Sequence, residues 1–332
     1  MSVDLTVIWA FLIAFAVAAY VVMDGFDLGI GILFPRFTVG KERDAAMNAI
    51  APVWDGNETW LVLGGGGLFA AFPLAYAIIL PATYPLIIAM LLGLVFRGVA
   101  FEFRWRDPRH ERFWDFAFFA GSLVAALSQG MILGALLQGI VIEGRSYAGG
   151  WLDWLSPYSV LTGIGVVAGY ALLGATFLAM KVTGRAEDHA YRLAGRAGAA
   201  TLLLMGAVSL ATPFLAPQYW DRWFAWPNII FVAQVPLLTA ILFFALYRSI
   251  RARKRYQPFL LSLGLFTLGM AGLGISMWPY AVPQSVTIWE AAAPERSQVF
   301  LLVGTAIIMP IILAYTGWAY WVFRGKVEES YH

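Results

Sequence analysis

Cysteine is absent from the 332 residues of this chain, and charged residues make up only 13% of it. The lack of cysteine excludes disulfides, thiolate metal sites and cysteine nucleophiles. The charged fraction is about half that of an average soluble domain, and 61% of the residues are hydrophobic, so water is not the solvent for most of the surface. The composition therefore predicts a protein that resides in a lipid bilayer.

Histidine is also scarce, since the chain has only His110, His189 and His332. None of them lies in an apolar stretch, whereas a membrane haem usually takes a histidine ligand from a spanning helix. We therefore expect this chain to bind no haem through histidine. Phosphate-binding loops and GxSxG or HExxH motifs are missing as well, so nucleotide and hydrolase chemistry are not supported. The basic segments are interpreted as orientation signals, with no nucleic-acid partner.

Nine apolar stretches are long enough to cross a bilayer, for which a helix needs roughly 20 mostly apolar residues. The first lysine or arginine is Arg36, so the first stretch lacks the basic start of a cleaved signal peptide and is predicted to be retained. We predict an all-α integral membrane protein with nine transmembrane helices, at 5–33, 51–72, 76–97, 113–142, 157–181, 197–215, 225–247, 257–281 and 298–323.

The distribution of basic residues predicts the orientation of these helices. All but three of the 22 lysines and arginines fall in one set of alternate connecting segments or at the C-terminal end, and the other set holds only Arg145, Arg222 and Arg296. Because cytoplasmic loops carry an excess of lysine and arginine, we expect the N-terminus outside and the C-terminus in the cytoplasm.

The odd number of helices suggests two groups of four and one more. We predict a first four-helix bundle over 1–142, a second over 157–281 and a peripheral ninth helix at 298–323. The outer segment 143–156, rich in glycine and tryptophan, is interpreted as a hinge between the bundles.

Acidic residues cluster where the first two predicted helices reach the inner face. Asp24 and Asp27 are three residues apart in MDGFDLGIG, and Asp55 and Glu58 have the same spacing in APVWDGNETW, which places each pair on one helix face. Such residues in or near a span are expensive and are functional candidates by default. One interpretation is a hydrated proton entrance, where partly buried carboxyl groups exchange protons near neutral pH. The alternative is an interfacial role in which a carboxylate caps a helix N-terminus, and Asp55 suits that role.

Arg97 lies at the inner end of the third predicted helix, in LVFRGVAFEFR. Either it pairs with one of the four acids and holds the first three helices together, or its long side chain reaches the lipid headgroups. The run Gly64–Gly67 predicts a close helix crossing, because small residues let backbones approach in lipid. A gas passage or a bend is the alternative there.

Several of these segments, taken together, resemble a known family. MDGFDLGIG, IAPVWDGNETWL followed by GGGGLFAAFP, LVFRGVAFEFR, GISMWPYAVP and PIILAYTGWAYW closely resemble subunit II of cytochrome bd and cyanide-insensitive quinol oxidases, in the same order from the first helix to the ninth. The resemblance implies a bacterial plasma-membrane heterodimer with subunit I, which carries two haems b, haem d and the quinol site. Such a complex oxidises quinol and reduces dioxygen to water without pumping protons.

The resemblance also implies roles for individual residues. Asp55 matches the proton-route carboxylate of the family, and Trp60 matches a tryptophan near an oxygen channel. Asp27 and Arg97 match residues needed for assembly or haem retention. We assign Asp24 and Glu58 to the same proton route as Asp55 on the argument from their positions.

Other features of the complex stay open at this stage. The brief outer segments 216–226 and 282–297 resemble the cyanide-insensitive branch, which leaves ubiquinol and menaquinol as alternatives. A small single-helix accessory subunit and a structural quinone or lipid in this chain are compatible with the resemblance.

Two different functions fit the acidic cluster. A secondary transporter or proton-coupled channel would use the acids to bind a coupling ion and would work without a partner. A purely structural subunit would carry no proton at all.

Overall fold

The computed structural model describes residues 4–327, and α-helices make up nearly all of its regular structure. Two short antiparallel strand pairs lie in connecting segments, β1 (Ile142–Glu143) with β2 (Ser146–Tyr147) and β3 (Tyr280–Val282) with β4 (Val286–Thr287). In chain order the helices are α1 (Leu5–Leu33), α2 (Lys41–Asn48), α3 (Trp54–Ala71), α4 (Pro73–Arg106), α5 (Glu111–Gln138), α6 (Pro157–Lys181), α7 (Gly184–Ala211), α8 (Pro217–Phe224), α9 (Asn228–Val232), α10 (Gln234–Arg251), α11 (Gln257–Met277), α12 (Ile288–Ala291) and α13 (Glu295–Val322).

Helices occupy all nine of the places predicted from the sequence, and the all-helical membrane fold is confirmed. Within residues 4–327, eight segments are long and apolar enough to cross a membrane. The predicted helix that is not among these eight is α3. Its 18 residues include Asp55, Asn57 and Glu58 in the first turns, and these polar side chains lower its mean hydropathy below that of the eight spanning segments. A crossing by α3 stays a prediction, as does the orientation of the helices.

The spanning helices differ from the predicted ranges chiefly at the ends that are predicted to face the cytoplasm. α4 continues to Arg106 and α7 begins at Gly184, because arginine is a good helix former and a helix need not stop where the bilayer stops. The stretch predicted as one helix at 225–247 is divided into α9 and α10. Pro236 explains the break, since it has no N–H to donate to the carbonyl of Val232.

The centre of the molecule is α6, which packs against α1, α5 and α7. Glycine makes the closest crossing possible: a methyl group on Gly29 of α1 would lie 1.8 Å from the carbonyl oxygen of Tyr170, and one on Gly174 would lie 2.5 Å from the Gly29 backbone. Because lipid gives helices no hydrophobic reason to associate, such backbone contact supplies much of their attraction. The crossing joins α1 of the first predicted bundle to α6 of the second, and the division into bundles stays a prediction.

The glycine run at Gly64–Gly67 makes a looser contact than that central crossing. A methyl group on Gly64 or Gly67 would meet a side chain of α1 at 3.3 Å, whereas Gly65 and Gly66 have open space beside them. The run therefore packs one of its faces on α1 and leaves the other uncovered.

Candidate functional site

The guanidinium of Arg97 is buried among three carboxyl groups. From α1, Asp24 Oδ1 lies 3.4 Å from one nitrogen and Asp27 Oδ2 lies 3.8 Å from another, and from α3, Glu58 Oε2 lies at 3.7 Å. The Arg97 side chain is 1% exposed and both aspartates are fully buried. Of the two alternatives for Arg97, the structure shows the pairing, which joins α1, α3 and α4. We call these four residues the Arg97 cluster.

Hydrogen bonds within the Arg97 cluster are fewer than its charges demand. All three guanidinium nitrogens, both oxygens of Asp24 and Oδ1 of Asp27 have no hydrogen-bond partner among the described residues. Buried charged groups normally have such partners, whereas the guanidinium and carboxyl atoms here are 3.4–3.8 Å apart, longer than a normal charge-assisted hydrogen bond. The cluster also holds two more acids than bases, so it suits proton binding.

Asp27 differs from Asp24 because one of its oxygens is held in place. Asn57 Nδ2 donates to Asp27 Oδ2 at 2.8 Å, and the hydroxyl of Tyr320 donates to Asn57 Oδ1 at 2.8 Å. The chain Tyr320–Asn57–Asp27 ties α13 and α3 to α1. Neither Asn57 nor Tyr320 was predicted from the sequence, although Asn57 lies between Asp55 and Glu58 in the WDGNETW segment.

Asp55 and Trp60 lie outside the Arg97 cluster. Asp55 is exposed in the first turn of α3, where a negative charge is favourable beside the free N–H groups of the helix. Trp60 is only 2% exposed, packs edge-on against Phe15 with ring centroids 5.8 Å apart, and has an indole N–H without a partner among the described residues. The structure thus brings together Asp24, Asp27, Glu58 and Arg97 and leaves these two apart.

A second buried arginine on the same helix provides a contrast. Arg104 donates to Asp115 at 2.6 Å, to Asp44 at 2.8 Å and to Glu111 at 2.7 Å. Asp115 also accepts from Arg43. Each of the three guanidinium nitrogens has a carboxylate at hydrogen-bonding distance, so this network joins α2, α4 and α5 and has no unsatisfied donor to offer.

Replacing Arg104 by glutamine is expected to destabilise the protein without changing its chemistry. Removing one partner of a buried ion-pair network costs about 3–5 kcal/mol, and the side chain of Arg104 is 1% exposed. The melting temperature of the purified protein should fall by several degrees, while its activity at low temperature stays at the wild-type value. A matched loss of turnover would show that Arg104 takes part in the reaction.

The described histidines lie near the ends of helices rather than in their apolar centres. His110 precedes α5 and pairs with Asp107 at 2.8 Å, a contact that holds the pKa of the Asp107 carboxyl below its ordinary value. His189 lies in the polar first turns of α7, 3.5 Å from Glu42, and His332 lies outside the described residues. These positions do not fit the axial ligands of a haem within the membrane, so no step of the chemistry is assigned to a haem on this chain.

The fold and the cluster define a multi-pass membrane protein with ionisable groups buried between its helices, which is typical of proton or ion pathways. A family model described as cytochrome bd terminal oxidase subunit II matches residues 5–323. Two relatives are cytochrome bd-I ubiquinol oxidase subunit 2 of Escherichia coli K12, 29% identical over 97% of this chain and 95% of the relative, and cytochrome bd ubiquinol oxidase subunit 2 of Bacillus subtilis 168, 28% identical over 97% of each chain. A solved structure of bd oxidase from Geobacillus thermodenitrificans shares the fold, with a TM-score of 0.75 at 20% identity over 96% of this chain and 98% of that one.

This chain therefore belongs to the cytochrome bd terminal oxidase subunit II family. It is one subunit of an oxidoreductase complex in the bacterial plasma membrane, and its place as the second subunit implies a subunit I as partner, with haem in the complex. The family assignment replaces the alternative of a secondary transporter or proton-coupled channel, since the two relatives are oxidase subunits and the matches cover at least 95% of each chain.

Proposed function

We propose that this chain carries protons from the cytoplasmic face towards the oxygen-reducing centre of its partner, in a complex that oxidises quinol and reduces dioxygen to water. The observation that supports the proposal is the Arg97 cluster, in which two buried acids and a third that is 25% exposed surround one buried base. Most polar atoms of the buried members have no hydrogen-bond partner among the described residues. Oxygen reduction consumes protons, and a partner-bound centre inside the membrane needs a polar path to receive them.

Three acids of α3 and α1 form a series of decreasing exposure. Asp55 is exposed, Glu58 is 25% exposed, and Asp24 is fully buried. Asp55 and Glu58 are also close enough to interact electrostatically. We infer that a proton collected near Asp55 passes to Glu58, the cluster member that reaches the surface, and from there to Asp24.

The two buried aspartates have different roles in this proposal. Asp24 has both oxygens unbonded among the described residues, so it is able to bind and release a proton without breaking a hydrogen bond. Asp27 accepts from Asn57 and is the structural member, together with Arg97. The guanidinium of Arg97 offsets one negative charge and lowers the cost of keeping acids at this depth.

The variant Glu58→Gln tests the route at its accessible end. Glutamine has nearly the same shape but cannot exchange a proton, so oxygen consumption by the two-subunit complex should fall at least about tenfold at neutral pH, since a positioned proton-transfer group commonly contributes 10²-fold or more. An oxygen electrode gives the rate, and the optical spectrum gives the haem content.

Glu102→Gln is the matched control for that variant. Glu102 is 58% exposed near the inner end of α4 and pairs with Arg106 at 3.7 Å, so the same chemical change there should leave the rate unaltered. A haem-replete Glu58→Gln complex as fast as the control would favour a purely structural subunit.

We also propose that Trp60 borders a path for dioxygen. Leu63, Met309 and Ile312 pack against the buried cluster of Ala16, Tyr20 and Trp60. The same three residues line a half-open apolar groove of about 430 Å³ between α3 and α13. Replacing Trp60 by phenylalanine should change the KM for oxygen with little effect on kcat, measured by oxygen consumption at limiting oxygen. An unchanged KM beside a lowered kcat would place Trp60 outside the path.

The remaining features of the complex follow from the family and are proposals for this chain. Subunit I would carry two haems b, haem d and the quinol site, and the reaction would separate charge without pumping. The two relatives are named ubiquinol oxidases, which supports a quinol substrate, either ubiquinol or menaquinol. Affinity purification with an optical spectrum would test subunit I and the haems together, and would reveal a small accessory subunit or a bound quinone or lipid.

A further inference from the structure

Two buried tyrosines and the partly buried Gln129 lie next to the Arg97 cluster and have no part in the route described above. Tyr170 of α6 donates its hydroxyl hydrogen to Gln129 Oε1 of α5 at 2.7 Å, and Gln129 Nε2 donates to the hydroxyl oxygen of Tyr20 of α1 at 2.8 Å. Tyr20 is 4% exposed and Tyr170 is 1% exposed. Polar groups at this depth are expensive unless they serve packing or function.

The hydrogen bonds of these side chains have a single direction. The carbonyl oxygen of Gln129 can only accept and its amide nitrogen can only donate, so Tyr170 gives its hydrogen to Gln129, and Tyr20 receives one from it. Tyr20 therefore keeps its own hydroxyl hydrogen for another acceptor. The carboxyl of Asp24 lies one helical turn further along α1, at a spacing that places it on the same helix face as Tyr20, and neither of its oxygens accepts a hydrogen bond from the described residues.

We propose that Tyr20, Gln129 and Tyr170 form a relay of hydrogen bonds that positions Asp24 for proton transfer. The relay does not itself conduct protons, because the Gln129 amide would have to change its bonding to pass one on. Its effect is to aim the Tyr20 hydroxyl at the Asp24 carboxyl, so that the ionised acid gains a donor whenever it has given up its proton.

The packing around Asp24 supports this arrangement. The neighbouring residue on α1 is Gly25, and a methyl group there would lie 2.8 Å from the ring of Tyr170, so a glycine at this position lets the far end of the relay pack against the backbone beside Asp24. The relay therefore joins α5 and α6 to the acid through both hydrogen bonds and van der Waals contact.

The groups that face Asp24 come from every helix that borders it and must be considered together in any pH measurement. They are Arg97 from α4, Glu58 from α3, Asp27 and Tyr20 from α1, Tyr170 from α6 and Tyr320 from α13. Only Tyr20 among these is bonded to Gln129 as an acceptor.

The experiment compares Tyr20→Phe, Tyr170→Phe and Tyr158→Phe in the complete two-subunit complex. Tyr158 is a buried tyrosine whose hydroxyl bonds Thr212 at 2.9 Å, so it is the matched control. Oxygen consumption is recorded between pH 5 and 9, and the carboxyl stretching band of Asp24 is followed by infrared difference spectroscopy, with Asp24→Asn to identify both signals. The inference rests on the proposed proton route, and the Asp24→Asn variant tests that route separately.

Asp24→Asn should remove one limb of the pH profile, which identifies that limb as the titration of Asp24. Tyr20→Phe should shift the same limb to higher pH by about one unit, as expected for the loss of one hydrogen bond to a carboxylate. Tyr170→Phe should move it less in the same direction, and Tyr158→Phe should not move it. The carboxyl band should shift in the first two variants alone. If Asp24→Asn removes a limb and Tyr20→Phe leaves limb and band in place, the relay is wrong and the route stands; if Asp24→Asn changes nothing, the route itself fails. Should Tyr20→Phe not assemble, Tyr170→Phe decides by the same two readouts.

Discussion

Replacing Arg97 by leucine should prevent assembly of the two-subunit complex. The change leaves Asp24, Asp27 and Glu58 around an apolar side chain at a site where the arginine is 1% exposed. Removing one partner of a buried ion pair costs about 3–5 kcal/mol, which is a large part of the stability of an ordinary domain. The expected result is a loss of complex in size-exclusion chromatography, together with loss of the haem absorption measured per milligram of membrane protein.

Two further variants make that result specific. Arg106→Leu removes an arginine that is 77% exposed on the same helix and pairs with the exposed Glu102, and it should assemble normally. Arg97→Lys keeps a positive charge but loses the planar fork, so its yield should lie between those of the other two. Wild-type yield and melting temperature for Arg97→Leu would show that the acids do not depend on this cation.

Replacing Asp24 by asparagine should separate assembly from turnover. Both oxygens of Asp24 lack a hydrogen-bond partner among the described residues. The amide gives up the ion pair with Arg97, but Asp27 and Glu58 remain beside that arginine, so the complex should form with its haems. The amide cannot exchange a proton, and oxygen consumption should fall at least about tenfold, the lower end of what a positioned proton-transfer group contributes.

Asp27→Asn is the informative partner of that variant. Asp27 accepts a hydrogen bond from Asn57, which in turn accepts from Tyr320. Asparagine keeps an acceptor oxygen but loses the negative charge that strengthens this bond, so the replacement weakens the link between α1, α3 and α13. We expect this variant to lose yield or melting temperature more than turnover per haem. Equal loss of turnover in both variants, at full haem content, would contradict the separate roles.

Much of the candidate site could be predicted from short-range pattern. The spacing of Asp24 and Asp27 places them on one helix face, and their position beside apolar sequence indicated a buried setting, which the structure shows. The same spacing did not distinguish Asp55 from Glu58. In the structure Asp55 is exposed, whereas Glu58 joins the Arg97 cluster. The spacing describes a helix face but cannot say which of its residues another helix covers.

The parts of the site that could not be predicted come from residues far apart in the chain. Tyr320 bonds Asn57 across 263 positions, and Gln129 bonds Tyr20 across 109. In the sequence each is a polar residue in an apolar stretch, with no local pattern to name its partner. The crossing of α1 and α6 at Gly29 and Gly174 is what brings α5 and α6 near Asp24, and glycine alone does not indicate which helix it will meet.

The fold itself was largely predictable because a lipid environment demands long apolar helices. The helix α3 was predicted, but its crossing of the membrane is harder to judge, because Asp55, Asn57 and Glu58 reduce the apolar character of the segment that carries them. The breaks at α9 and α10 and the short helix α2 also had no strong signal, since proline tolerance and short polar helices depend on their neighbours.

Proton uptake by the Asp24→Asn complex tests the central claim most directly. The haem-replete, fully reduced complex is mixed with oxygen in a weakly buffered solution containing a pH-sensitive dye, and haem oxidation and proton uptake are followed together. The account predicts that early haem oxidation proceeds as in the wild type, while proton uptake slows at least about tenfold. Uptake at the wild-type rate would show that the protons for water reach the partner by a path that does not include the Arg97 cluster.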